Sequence, residues 1–184
     1  IIGGGRHEDD EKNSVKIDGA SVGAWCAFED SGDKKLYHKD LCCGTGAFTI
    51  AARALGLATH WALDCDEAAT DFSKCNQFGN LLVDTGMMQD ANLWSMPHFG
   101  NEIHTMGCPC QPFSEASQAR RGFDDTRGKL VPVFAVYIAW RLPLAALIEN
   151  VTGIIKGECL AKLTMVMEWL ALFGYRCFYQ NIDM

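Results

Sequence analysis

Two short stretches of the chain carry residues able to do covalent chemistry. The first is Gly107-Cys-Pro-Cys-Gln-Pro-Phe-Ser114, in which Cys110 follows a strand-like segment and Pro112 stands where a helix would begin. A thiol at a helix amino terminus is biased towards thiolate, the form that attacks carbon. The second is Glu149-Asn150, directly after the apolar run Leu144-Ala-Ala-Leu-Ile148. A carboxyl group at such a point is partly desolvated, which raises its pKa and lets it serve as an acid near neutral pH. Each residue also has an ordinary reading: Cys110 as a buried structural thiol, Glu149 as a turn or capping acid.

A third stretch, Asp40-Leu-Cys-Cys-Gly-Thr-Gly-Ala-Phe48, can hold a ligand. Gly44 and Gly46 remove side chains where backbone must approach a bound group. Asp64 lies 18 residues beyond Gly46, near the distance at which an acid reaches a ribose hydroxyl. Thr49 stands where dinucleotide-binding turns carry their third glycine. The turn thus departs from a pyrophosphate cradle and suits a nucleoside without phosphates, such as S-adenosylmethionine. Similar turns also occur with no ligand at all.

The elements that must position these residues alternate along the chain. Strand patterns cover 36–41, 59–63, 81–83, 102–106, 144–148 and 175–182. Helix patterns cover 47–55, 66–78, 127–140 and 157–173, with Gly56 and Gly174 as plausible terminators. Strands alternating with helices predict an α/β fold, a Rossmann-like, doubly wound, mostly parallel sheet. Ligands of such sheets sit beyond the carboxyl ends of the strands. Four of those ends carry the unusual residues: the glycine turn, Asp64, Pro109-Cys110-Gln111 and Glu149-Asn150. Residues 1–35 are polar and Gly-rich and read as an irregular leader, with one strand pattern near 24–28; residues 36–184 read as the catalytic domain.

The formal net charge is −7. Proteins that grip nucleic acid by its backbone alone are usually basic. A nucleic-acid role therefore needs a local pocket, or basic surface from another segment or chain. Arg120, Arg121, Arg127 and Lys129 form the locally basic stretch. Nine cysteines is an odd count and no signal peptide precedes them, so most read as reduced thiols of an intracellular protein, nuclear in a eukaryote and otherwise cytoplasmic. A redox or metal module built on Cys42-Cys43 and Cys108/Cys110, with His98 and His104 nearby, is the minor alternative; no second Cys or His pair has finger-like spacing, so a metal is not expected. The longest apolar run, Leu130 to Trp140, is too short to span a bilayer.

Taken together, these residues resemble the cytosine-5 DNA methyltransferase family, in order from Asp40 to about Asp183. The segment from Asp40 to Phe48 resembles the family's first motif, which cradles S-adenosylmethionine through positions matching Cys42, Cys43, Gly44, Thr45 and Gly46. Asp64 with Cys65, Asp66 and Asn76 is similar to the second motif. Asp90, with Ala91 beside it, resembles the third-motif acid that contacts adenine. Pro109-Cys110-Gln111 resembles the fourth motif, with Cys110 the nucleophile. Gly122-Phe-Asp-Asp-Thr-Arg-Gly-Lys-Leu130 is similar to the segment after the mobile catalytic loop, and Glu149-Asn150-Val151 to the sixth motif.

The resemblance implies a methyltransferase fold that is incomplete at its C-terminus, S-adenosylmethionine as cofactor and DNA as partner. The target cytosine is flipped out of the duplex. Cys110 attacks ring carbon 6 while Glu149 bonds ring nitrogen 3; Gln111, Ser114, Asn150 and Arg127 are the implied substrate contacts. Cys42 and Cys65 depart from the family, which usually has an aromatic and a bulkier side chain there. The sequence ends before the Gln-Arg-rich motif and contains no recognition domain. The resemblance thus leaves those parts to a second chain, or leaves an inactive scaffold or interaction protein as the alternative.

Overall fold

The computed structural model describes residues 2–6, 35–76, 81–88, 96–116 and 120–182. Seven strands form one sheet: β1 (Ile2–Arg6), β2 (Tyr37–Leu41), β3 (Ala58–Asp64), β4 (Leu82–Thr85), β5 (Glu102–Gly107), β6 (Ala145–Glu149) and β7 (Tyr175–Tyr179). Four α-helices accompany them: α1 (Ala47–Ala54), α2 (Glu67–Cys75), α3 (Leu130–Arg141) and α4 (Gly157–Ala171). The strand order is β4-β3-β2-β5-β6-β1-β7. Strands β2 to β6 pair in parallel, and β1 runs antiparallel to both β6 and β7.

The order reverses between β2 and β5. From β2 the chain winds outward through α1 and α2; from β5 it winds the other way through α3 and α4. Right-handed crossovers then send the two helix pairs to opposite faces and open a crevice at the carboxyl edge of the β2–β5 pair. The expected doubly wound, mostly parallel sheet is the fold observed.

Two boundaries differ from expectation for identifiable reasons. The helix read from residue 127 begins at Leu130, because Asp125 takes the Arg127 amide at 2.9 Å and holds a turn there. Pro132 then falls in the first helical turn, where a missing N–H costs nothing. The leader is not wholly irregular, since Ile2–Arg6 forms β1 inside the sheet. The pattern near 24–28 lies outside the described residues.

Local chemistry accounts for the element ends. Asp66 caps α2, accepting the Ala69 amide at 3.0 Å. Gly174 follows α4 with φ 86°, a left-handed conformation that suits glycine. Helix α3 is apolar nearly all round and buries Val131, Phe134, Ala135 and Ile138. With Leu41, Met106 and Leu163 they form the core against the sheet.

Strand β2 is the exception to an apolar interior. His38, Lys39 and Asp40 are fully buried in it. Lys39 Nζ lies 3.0 Å from Glu102 Oε1 and donates to the Pro97 carbonyl at 2.7 Å. Glu102 Oε2 is 2.9 Å from His104 Nε2 and 3.0 Å from His98 Nδ1. This network lies at the amino ends of β2 and β5, away from the crevice. Burial opposes the charge on Glu102, but hydrogen bonds from His104 and Lys39 outweigh it and hold its carboxyl well below the usual range.

Candidate active site

At the carboxyl end of β2 the chain turns sharply. Cys42, Gly44 and Gly46 all adopt positive φ (54°, 51° and 87°), so two of the three turning positions require glycine's freedom. Side chains from several elements fix the turn. Asp40 Oδ2 accepts the Thr49 amide at 3.0 Å and the Thr49 hydroxyl at 2.8 Å. Its Oδ1 accepts the Thr105 hydroxyl at 2.9 Å, tying the turn to β5. Burial pushes the Asp40 carboxyl up to about 6, although those hydrogen bonds pull the other way. Ser73 of α2 donates to the Gly44 carbonyl at 3.0 Å.

Asp64, at the end of β3, accepts the Gly44 amide at 2.7 Å through Oδ2 and the Asp66 amide at 2.9 Å through Oδ1. The residues present fit an adenosine-type ligand. A Cβ built on Gly44 meets nothing within 4 Å, so space lies open over the turn. A carboxylate has about four lone-pair sites. With two of them taken by amides, Asp64 keeps acceptor capacity for a ribose diol. Cys43 is buried against the turn, while Thr45 and Cys65 are exposed. Asp90 and Ala91 lie outside the described residues.

Strands β5 and β6 are adjacent and parallel, and Gly107 is the register partner of Glu149. The segments holding Cys110 and Glu149 therefore leave the sheet side by side at the edge that also carries the glycine turn. Asn150 joins them. Its Nδ2 lies 2.7 Å from Cys108 Sγ, 3.2 Å from the Cys108 carbonyl and 3.5 Å from the Pro109 carbonyl. Its Oδ1 accepts the Val151 amide at 2.8 Å. Beyond Cys110 the chain folds back, because the Cys110 carbonyl accepts the amides of Phe113 and Ser114, each at 2.9 Å. Phe113 is fully buried and anchors this turn in the core.

Three sequence expectations change here. Among the described residues no α-helix starts at Pro112; residues 111–113 form a turn, and Ser114 Oγ takes the Ala116 amide at 3.3 Å, an alternative to helical pairing. Nor is Glu149 desolvated: it is exposed, because β6 ends at the sheet edge with no described element over it. The Asn150 amide, an implied substrate contact, bonds the Cys108 and Pro109 carbonyls. His98 and His104 sit with Glu102 at the opposite strand ends, not beside Cys108 and Cys110. Gln111 is exposed, and Arg127 is held by Asp125 at 3.0 Å.

The thiols divide by environment. Burial pushes Cys43 and Cys108 up to about 12 and Cys42 higher still, so these three stay protonated and unreactive at neutral pH. Cys110 is the exposed thiol of the turn. Among the described residues, no group of three or more His, Cys, Asp or Glu side chains could hold a metal ion, and no helix is long and apolar enough to cross a membrane.

A reversed-order parallel sheet, with a glycine turn, a strand-end acid, an exposed thiol and an exposed carboxylate at one edge, is an α/β domain of the methyltransferase fold class. Residues 37–183 match the family model for C-5 cytosine-specific DNA methylases, and the chain belongs to that family. It is 34% identical over 148 residues to the type II methyltransferase M.HpaII of Haemophilus parainfluenzae, covering 77% of this chain and 40% of that protein. It is 27% identical to M.Sau96I of Staphylococcus aureus, covering 76% of this chain and 33% of that protein. The chain thus spans well under half the length of these relatives. A solved structure described as a prophage-encoded DNA modification methyltransferase of E. coli superposes with a TM-score of 0.60 at 22% identity, over 74% of this chain and 38% of that one. That likeness speaks for the fold alone.

Proposed function

We propose that the chain is the cofactor-binding and nucleophile-bearing part of a DNA cytosine-5 methyltransferase. The observation that carries the reading is the Gly107–Glu149 register, fastened by Asn150, which brings the Cys110 turn and Glu149 to the edge that bears the glycine turn. Gly44, Gly46 and Asp64 would hold S-adenosylmethionine. When bound, that cofactor supplies an electrophilic methyl group on its sulfonium.

The chain's own residues do the rest. Carbon 5 of cytosine is a poor nucleophile while the ring is aromatic. The Cys110 thiolate adds to carbon 6, forming a carbon–sulfur bond and driving the ring electrons towards carbon 5 and nitrogen 3. Glu149 hydrogen-bonds or protonates nitrogen 3, so charge does not build up there. After methylation, loss of the carbon 5 proton to a base expels the Cys110 thiolate and restores the ring. Reaching carbon 6 requires the base to leave the stack, which costs a few kcal/mol in a duplex.

Cys110 and Glu149 both stand exposed. This chemistry wants a site closed to water, so the cover comes from the DNA itself and from a second chain or segment. The same exposure favours the other reading, a methyltransferase-like scaffold that has lost activity. Calorimetry with S-adenosylmethionine separates the two: the enzyme reading expects binding that Asp64→Ala weakens, and no heat at millimolar cofactor supports the scaffold.

A further inference from the structure

A chain of hydrogen bonds crosses the middle of the sheet and ends at the glycine turn. It begins on β3, where Thr59 Oγ1 lies 2.9 Å from His38 Nδ1. His38 Nε2 lies 2.9 Å from Thr105 Oγ1 on β5. The Thr105 hydroxyl donates to Asp40 Oδ1 at 2.9 Å, and Asp40 Oδ2 accepts the Thr49 hydroxyl at 2.8 Å and the Thr49 amide at 3.0 Å. His38 and Asp40 stand two apart on β2 and share a face. The register sets Thr59 beside His38 and Thr105 beside Asp40. All the members are buried except Thr59, which is half-buried.

Counting protons gives the direction of each bond. A carboxylate only accepts, so Thr105 donates its one hydroxyl proton to Asp40. The Thr105 oxygen then accepts from His38, whose Nε2 must carry the proton. Burial, with repulsion from His104 of β5 and His60 of β3, holds the His38 ring down at about 3, so it is neutral. A neutral ring has a single N–H, and Nδ1 therefore accepts the Thr59 hydroxyl. Every donor from Thr59 to Thr105 points towards Asp40, and bonds aligned in this way polarise one another.

The carboxylate at the end of the chain needs this support. Burial opposes its charge and Asp64, at the end of β3, adds repulsion, while the bonds from Thr49 and Thr105 act the other way. Cys43, the thiol in the same turn, stays protonated. A proton arriving on Oδ2 would face the Thr49 amide, which cannot reverse, and would break the bond that ties α1 to β2. A proton on Oδ1 would turn the Thr105 hydroxyl round and force His38 into its other tautomer. We propose that His38 and Thr105 are positioning residues for the cofactor turn, whose aligned bonds keep the Asp40 carboxylate charged and aimed at the Thr49 amide. The assignment deepens the function proposed above and rests on it for the identity of the ligand held at the turn.

The test titrates the full chain from about pH 8 to 5, following the Asp40 carboxyl by carbon NMR, the His38 ring by nitrogen NMR and the Thr49 amide by proton NMR. At neutral pH His38 should carry its proton on Nε2, which is read in the native chain and needs no variant. Asp40 and the Thr49 amide should share one midpoint. Thr105→Val removes a hydrogen bond to a charged group, so that midpoint should rise by about 1–2 pH units. S-adenosylmethionine binding at neutral pH, measured by calorimetry, should weaken by about two- to tenfold as the charged fraction of Asp40 falls. Thr105→Ser keeps the hydroxyl and should restore both. Thr70→Val deletes a buried hydroxyl of α2 that bonds Thr85 rather than the turn, and should leave the midpoint in place. A His38 ring protonated on Nδ1, a midpoint unmoved by Thr105→Val, or an equal shift in Thr70→Val would overturn the assignment. A midpoint that moves as expected, with no cofactor heat from the native chain, defeats the cofactor reading alone. Cofactor heat with an unmoved midpoint defeats the positioning role alone.

Discussion

Asn150 Nδ2 reaches from the end of β6 to Cys108, 2.7 Å from its sulfur and 3.2 Å from its carbonyl oxygen. The bond runs across the β5–β6 pair and sets where the next two residues, Pro109 and Cys110, lie. Asn150 is therefore a positioning residue. The pair explains why Cys108 is buried while Cys110, two residues on, is exposed.

Removing that clamp should loosen the nucleophile without touching it. Asn150→Ala leaves two carbonyls short of a donor, at about 1–3 kcal/mol. We expect a modest fall in melting temperature and a drop of about 10- to 100-fold in covalent capture of a cytosine-containing oligonucleotide. Cofactor binding, measured by calorimetry, should stay within twofold.

Asp64 should behave in the opposite way. Its carboxylate orders the Gly44 amide and the Asp66 amide at once. Hydrogen bonds to charged groups contribute about 1.5–3 kcal/mol, so Asp64→Ala should weaken S-adenosylmethionine by about 10- to 100-fold. Unchanged affinity would mean the crevice holds its ligand elsewhere.

Gly153 tests the packing behind the thiol. A Cβ at this position would overlap the Phe113 carbonyl, which is backbone and cannot swing aside. Gly153→Ala should cost about 2–4 kcal/mol in urea unfolding, and adduct formation should fall with it because Phe113 anchors the Cys110 turn.

Stability should drop on mild acidification. Burial holds His38 down at about 3, and His60 and His104 at about 4. An unfolded chain binds those protons near the ordinary histidine value of 6.5. Between about pH 6.5 and 4 the unfolded state thus takes up protons that the fold refuses, so stability falls as pH falls. Asp40, raised to about 6, works the other way over part of this window, because the fold binds its proton first. Three groups outweigh one. The urea midpoint at pH 5 should lie below that at pH 7 by the equivalent of about 2–4 kcal/mol; a flat profile would contradict the buried network.

Much of this was legible in the sequence, because period and punctuation carry it. Alternating strands and helices, with Gly56, Asp66 and Gly174 at the element ends, are enough to give the sheet and the edge where the glycine turn and the Cys110 and Glu149 segments emerge. What stayed hidden depends on tertiary pairing. Three consecutive glycines in Ile2-Gly-Gly-Gly-Arg6 carry no apolar alternation to reveal a strand, and the chain pairs there with β6 and β7. No apolar residue in His38-Lys39-Asp40, inside the strand pattern 36–41, announces burial, yet Glu102, Thr105 and Thr49 partner these buried side chains. Three polar residues inside a strand flanked by motif residues were the available signal. The turn after Cys110 is not legible in the sequence because Pro112 suits a helix start, whereas Ser114 Oγ takes the Ala116 amide and diverts the backbone.

The central claim is that Cys110 and Glu149 act together on one cytosine. The direct test uses DNA carrying 5-fluorocytosine, whose carbon 5 substituent cannot leave as a proton, with S-adenosylmethionine and a supplied covering chain. A denaturation-resistant protein–DNA band should form. Cys110→Ser should abolish it, and Glu149→Gln should slow its formation by about 10²- to 10⁴-fold. A band of equal strength from the Cys110→Ser protein would contradict the account.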